Sequence, residues 1–285
     1  MESASCCSAS LAFVSLIASW VSVRSIAPLF IPPVYIAIVS VAERRWGQSW
    51  SGRLTAIPTQ TSTVILLVAL TEGPGLAAGV ASGAILGVMS LSAFAVGYGL
   101  TCSKASWKGS VVVATIVFLA SAICLVVIHA TLAIDALVAV VVVCGSILGL
   151  RRIERIAESG RKKTVRLPVR MALALFLVIF VAVSVPVLGP IAAGTLAVFP
   201  IITAPMAVLN QQESGPSASR RYLEGLEWGL FGGIVFFFTL SVLLASQGIL
   251  VAFTVAIQIL VVTLLGSFLV ANRLVQERRV VCGSD

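Results

Sequence analysis

Residues 52–87, GRLTAIPTQTSTVILLVALTEGPGLAAGVASGAILG, and residues 194–229, GTLAVFPIITAPMAVLNQQESGPSASRRYLEGLEWG, align without a gap at a spacing of 142 residues. Nine of the 36 positions are identical: Gly52/Gly194, Leu54/Leu196, Pro58/Pro200, Thr61/Thr203, Leu67/Leu209, Gly73/Gly215, Pro74/Pro216, Gly83/Gly225 and Gly87/Gly229. Chance matches in apolar sequence fall mostly on Ala, Val and Leu, whereas most of these fall on Gly and Pro. The pattern is that of an internal duplication.

What is duplicated follows from composition. The 285-residue chain is 59% hydrophobic and 11% charged, where a soluble domain carries roughly 25% charge and a disordered chain has the opposite balance. The expectation is an all-α polytopic membrane protein. Apolar runs bounded by charge or by Gly and Pro give ten predicted spans: about 8–23, 27–42, 53–72, 75–99, 109–129, 131–150, 168–186, 188–210, 225–247 and 249–272, each near the length a bilayer requires. No Lys or Arg precedes the apolar stretch 11–23 and Pro28 stands where cleavage would fall, so the first run is read as a span and not as a cleaved signal peptide.

The matched windows cover spans three to four and eight to nine, so one unit holds five spans. An odd number makes the second copy enter the membrane from the opposite side, a five-plus-five inverted repeat of the kind that recurs in secondary transporters. Residues 1–130 form repeat A and 131–275 repeat B, with a basic linker at 151–167 and a tail at 276–285. Charge not used in drawing the spans fits this scheme: with both termini cytoplasmic, 18 of the 19 Lys and Arg lie on the inner side and only Arg24 lies outside. Eight of them, against Glu154 and Glu158, crowd between Arg151 and Arg170. This run reads as a cytoplasmic loop or an anionic-lipid site, not as the basic face of a soluble nucleic-acid binder. The expected location is the cytoplasmic (inner) membrane.

Paired Gly/Pro interruptions at corresponding places in two halves are the best sequence pointer to a transporter site. Pro58 is followed by five polar side chains, Thr59, Gln60, Thr61, Ser62 and Thr63, and span eight repeats the theme with Pro200, Thr203, Pro205 and, at its end, Asn210. A proline inside a span frees a carbonyl, which in hydrocarbon needs a partner or water. The alternative is a pair of ordinary proline kinks satisfied by neighbouring Thr and Ser. The candidate substrate-binding residues are therefore Pro58, Thr59, Gln60, Thr61, Thr63, Pro200, Thr203, Pro205 and Asn210. Hydroxyls and amides without charge suit a small neutral or zwitterionic polar solute, or an envelope saccharide precursor, with Na⁺ or H⁺ as the coupling ion.

Glu72 and Asp135 are candidate coupling acids near outer helix ends. Glu224 and Glu227 read as interfacial carboxylates near the inner end of span nine, with Arg220 and Glu224 at the spacing of a helix-surface pair. His129 and Asp135 flank the outer connection between spans five and six. Gly75, Gly79, Gly83 and Gly87, and Gly225, Gly229 and Gly233, form small-residue ridges for close helix packing, inside the monomer or at a homodimer seam. One histidine and six cysteines without metal-ligand spacing leave no metal site, no cofactor and no enzyme constellation, and the cysteines read as free thiols. A non-transporting subunit of an envelope-polysaccharide synthesis or export machine is the alternative to a transporter.

Gly194, Phe199-Pro200, Glu213-Ser214-Gly215, Arg220 and Trp228 resemble the pattern of GlpM, a family of small membrane proteins. The resemblance spans about 40 residues. In the first repeat Ile57 replaces the Phe, Glu72 is displaced by one, and Ala78 and Leu86 stand where Arg and Trp would be. The resemblance implies involvement in envelope polysaccharide production and no defined transport reaction. In architecture alone the chain is similar to the drug/metabolite transporter superfamily.

Overall fold

A computed structural model describes residues 45, 48–152 and 187–281, with side chains described as far as residue 266 and that of Glu213 excepted. The predicted spans 8–23, 27–42 and 168–186, most of the basic linker and the end of the tail lie outside the described residues. Within them the chain is helical, with no strand: α1 (Gln48–Thr55), α2 (Thr59–Thr71), α3 (Pro74–Thr101), α4 (Trp107–Ile128), α5 (Leu132–Arg152), α6 (Pro190–Ala197), α7 (Thr203–Ser214), α8 (Pro216–Gln247) and α9 (Ile249–Val281). Among the described residues six helices are long and apolar enough to cross a bilayer: Gln48–Thr71, which joins α1 and α2 through a break, Pro74–Thr101, Trp107–Ile128, Leu132–Arg152, Pro216–Gln247 and Ile249–Gly266.

Local chemistry sets where these elements begin. Gly73 and Gly215 sit at φ 99° and 83°, a left-handed conformation that glycine adopts without penalty. Each is followed by a proline at the first helical position, where its missing N–H costs nothing. These Gly-Pro turns start α3 and α8, the two long central helices. The predicted span 225–247 consequently begins nine residues earlier than its apolar run, at Pro216. Arg220, Arg221, Glu224 and Glu227, expected at a membrane surface, are carried inside a helix.

The element starts recur at the repeat spacing: α1 and α6 start at 48 and 190, α3 and α8 at 74 and 216, α4 and α9 at 107 and 249. Both predicted spans that contain the proline interruptions are broken into two short helices. Residues 56–58 separate α1 from α2, and residues 198–202 separate α6 from α7.

The packing is reciprocal. A Cβ on Gly52 of α1 would collide with the Tyr222 carbonyl of α8 and lie 2.8 Å from Leu226 N. A Cβ on Gly194 of α6 would collide with the Val80 carbonyl of α3 and lie 3.0 Å from Ala84 N. The same exchange holds for Gly225, against Ser49, and Gly83, against Ile191, and for Gly229, against Arg53 and Ala56, and Gly87, against Thr195 and Val198. Every one of these contacts has its counterpart 142 residues away. Ser49 meets Gly225 while Arg53 and Ala56 meet Gly229, and Ile191 meets Gly83 while Thr195 and Val198 meet Gly87, so each short helix runs parallel to the long helix it touches. The bonds from Ser241 to Ala78 O, Ser92 to Glu227 and Arg220 to Gly99 O run α3 and α8 antiparallel.

The ridge glycines thus serve contacts between helices of one chain, which is how membrane helices approach without a hydrophobic force between them. Gly75 is the exception, exposed near the start of α3 with nothing within 4 Å of a built Cβ. Around α3 and α8 the remaining helices turn apolar side chains outward: Ile116, Ile123 and Val127 on α4, Leu137 and Val141 on α5, and Leu250, Val262 and Leu265 on α9 are all exposed. Such a belt is the surface that a bilayer covers.

Candidate functional site

The two breaks face each other across a cavity. It is lined by Thr55, Ala56, Ile57, Pro58, Thr59, Gln60 and Thr61 from the first break, and by Ala197, Val198, Phe199, Ile202 and Thr203 from the second. Leu91 and Val88 of α3 and Leu230, Gly233 and Phe237 of α8 close it. The cavity measures about 50 Å³, room for roughly four waters. None of the lining side chains is charged.

Backbone geometry adds polar groups to this lining. Pro58 has no N–H, Ile57 N turns back to Leu54 O, and Thr59 N goes to Ile57 O. Among the described residues no backbone N–H reaches the carbonyls of Thr55 or Ala56. The second break behaves alike: Val198 N and Phe199 N bond Thr195 O and Leu196 O, Ile201 N bonds Phe199 O, and among the described residues the carbonyls of Ala197 and Val198 receive no backbone donor. One of these four carbonyls is taken across the site, where Thr61 Oγ1 donates to Ala197 O at 3.0 Å. Gln60 presents a buried amide Nε2 with no hydrogen-bond partner among the described residues.

Of the residues expected at a binding site, Pro58, Thr59, Gln60, Thr61 and Thr203 are brought together. Thr63 is buried and bonds back to Thr59 O at 2.8 Å. Asn210 is buried in α7 and donates to Met206 O at 2.9 Å. Pro200 lies within the second break and Pro205 in the first turn of α7, and neither lines the cavity. Of the candidate coupling acids, Glu72 is exposed at the end of α2. Asp135 is buried, with Oδ2 2.7 Å from His129 Nδ1. That pair closes the connection between α4 and α5, and neither residue lines the cavity. His129, Asp135 and the other described acids and cysteines form no cluster able to hold a metal ion.

No known protein family, curated protein or solved structure matches this chain. The residues behind the GlpM resemblance have structural work here. Gly194 permits the α6–α3 approach, Gly215 makes the turn, Phe199 meets Phe118 edge-on at 5.3 Å, and Trp228 lies under the Arg151 guanidinium at 5.5 Å.

Sequence reasoning missed a polar layer between the long helices. Tyr98 OH donates to Gln211 Oε1 at 2.6 Å, and Gln211 Nε2 donates to Cys102 O at 2.7 Å. Arg220, only 5% exposed, donates to Gly99 O at 3.0 Å and to Ser103 Oγ at 2.8 Å. Glu224 meets Arg151 of α5 at 2.6 Å. Glu227 is fully buried against Ser92 of α3. For Arg220, Glu224 and Glu227 the signal was the Gly215-Pro216 turn, which starts α8 early enough to carry them inward.

Proposed function

We propose that this chain is a secondary transporter of the cytoplasmic membrane, built as a five-plus-five inverted repeat and working by alternating access at the cavity between the two helix breaks. The observation that carries the reading is the meeting of Pro58-Thr59-Gln60-Thr61 with Ala197-Val198-Phe199 and Thr203 across one cavity, at equivalent places in two halves. Broken helices at a repeat interface are the recurrent solution for transporter sites, because unwound carbonyls become ligands. Irregular backbone at such depth is tolerated where it lines a cavity.

The reciprocal contacts support the mechanical side of the reading. α1 rests on α8, and α6 rests on α3, through glycine faces that bring backbone to backbone. Two equivalent arrangements related by exchange of the halves have similar packing, which is the condition for a two-state rocking motion. The lining constrains the cargo. Uncharged hydroxyls, an amide and free carbonyls suit a small neutral or zwitterionic polar solute, and a strongly anionic one would find no Lys or Arg there. A cavity of about 50 Å³ is too small for a saccharide precursor, which would require the halves to part.

Thermal unfolding of the full chain in detergent tests the reading. Neutral sugars, amino acids, nucleosides and polyprenyl-linked sugars are screened with and without Na⁺, beside a Thr59→Ala, Gln60→Ala variant. Binding to the folded state raises the Tm by mass action. A shift present in the parent and lost in the variant supports the site. Equal shifts in both, or none with any class, count against it.

A further inference from the structure

We propose that Glu227 is a proton-binding site, held with the aid of Ser92, whose release of its proton to water accompanies separation of α3 from α8; the second half of this statement rests on the transport reading. Glu227 lies eleven residues inside α8, about 16 Å along its axis, and its side chain has no exposed surface. Ser92 Oγ donates to its Oε2 at 2.9 Å. Oε1 is buried with no partner among the described residues. Leu230, one helical turn further along α8, lines the cavity, as does Leu91 beside Ser92.

Ionised carboxylates inside a membrane are rare, costly and associated with proton relays, and among the described residues the Glu227 carboxyl has a single hydroxyl partner. The neutral acid is the form its surroundings accept: Ser92 serves Oε2 and leaves Oε1 to carry the proton. Most other span hydroxyls bond back to their own helix, as Thr63, Ser90, Thr239 and Thr254 do. Ser92 turns its hydroxyl to the neighbouring helix.

Charges on the surrounding elements are engaged elsewhere. On α5, Arg151 pairs with Glu224 of α8, and Arg53 of α1 stands in the field of the same Glu224. On α3, Tyr98 bonds Gln211, while Cys102 follows at its end. Arg220 of α8 bonds the end of α3. α7 from Thr203 to Gln212 and α9 from Ile249 to Gly266 carry no titratable side chain. Among the described residues Ser92 is the one hydrogen-bond partner of the Glu227 carboxyl.

The duplication argues that this pair is not there for packing. Residues 142 away from Glu227 and Ser92 are Ile85 and Ile234, both buried in the core. The fold accepts two isoleucines at the equivalent places, and replacing buried polar pairs by apolar ones is often neutral or stabilising. The acid therefore sits where stability does not require it.

The step is a proton transfer alone: the O–H bond at Oε1 breaks, its electron pair remains on the carboxylate, and the proton passes to a water that reaches the pair when the helices part. Infrared titration of the full chain in lipid nanodiscs reads the site without any substrate. The expected result is a protonated-acid carbonyl band that is present in the parent, displaced in Ser92→Ala and absent in Glu227→Gln. A parent spectrum identical to that of Glu227→Gln at every pH overturns the proposal. For the coupling, a Thr59→Cys reporter in a chain with the six native cysteines replaced by alanine is labelled with a water-soluble maleimide across the same pH scan. Labelling is expected to change where the band is lost, and to lose its pH dependence in Glu227→Gln. A band that titrates while labelling stays constant overturns the coupling. A reporter that never labels at any pH instead defeats the transport reading, while the band still decides the proton site.

Discussion

Thr61 Oγ1 donates to the carbonyl of Ala197, so a side chain just after the first helix break satisfies a backbone group freed by the second. The two are 136 residues apart in sequence and meet across the cavity. Among the described residues this bond is the direct side-chain link between the two breaks. Thr61→Val keeps the shape and leaves the Ala197 carbonyl without its donor. Interhelical hydrogen bonds in membranes average about 0.6 kcal/mol, and an orphaned buried acceptor adds to that, so we expect a loss of about 1–2 kcal/mol. Thr61→Ser, which retains the donor, should lose less than half as much. Equal losses in thermal unfolding for both variants would mean that the bond contributes nothing.

The glycine contacts make a sharper contrast. A Cβ at Gly83 or Gly194 would run into a backbone carbonyl, of Ile191 or Val80, on a helix that cannot give way locally. Gly83→Ala and Gly194→Ala are each expected to cost about 3 kcal/mol or more, at or above the upper end of overpacking effects. Gly75→Ala, on the same ridge in sequence, meets open space and gains helix propensity, and should be neutral or stabilising by about 0.5 kcal/mol. Similar melting temperatures for all three would contradict the reciprocal packing.

Much of this architecture was legible because its determinants are local. Gly73-Pro74 is a helix start by backbone chemistry alone, and Pro58 and Pro200 mark breaks for the same reason; Gly215-Pro216 carries the same signal, although the apolar run alone puts that start at 225. The cavity lining followed from Pro58-Thr59-Gln60-Thr61 and Thr203, whose polarity is anomalous inside apolar runs. Thr63 and Asn210 look identical in sequence to their neighbours, yet helical phase turns them toward backbone acceptors in their own helices. Glu227 reads as an interfacial carboxylate because it stands two residues into its apolar run, whereas the helix starts at Pro216 and carries it eleven residues inside. Its real environment depends on Ser92, 135 residues away, and a single sequence carries no record of such a pairing.

Cys102, just beyond the end of α3, offers a pH test outside the spanning segments. Its thiol is buried, and that burial pushes its ionisation upward, with the Arg220 guanidinium offsetting part of the effect. The unfolded thiol, near pH 8.5, gives up its proton first, so the unfolded state binds fewer protons in the window above that value. Stability must then fall as pH rises through it. The parent should lose stability more steeply than Cys102→Ala in the alkaline range and in parallel with it at neutral pH. Parallel profiles throughout would remove Cys102 from the pH response.

Gln60 separates a binding site from a scaffold. Its amide Nε2 is buried beside the cavity with no partner among the described residues, an arrangement that costs about 1–3 kcal/mol and that a protein selected only for stability has no reason to keep. Gln60→Leu removes the amide at nearly constant volume. If the amide is kept for a solute, the variant should unfold about 1 kcal/mol later than the parent while losing any ligand-induced shift in Tm, the stability–function exchange expected at a preorganised site. If the amide has a structural task, the variant should be less stable, and the ligand shift, where one exists, should persist. Thermal unfolding of the two proteins, each with and without the best solute of the screen, decides between these outcomes because they differ in sign.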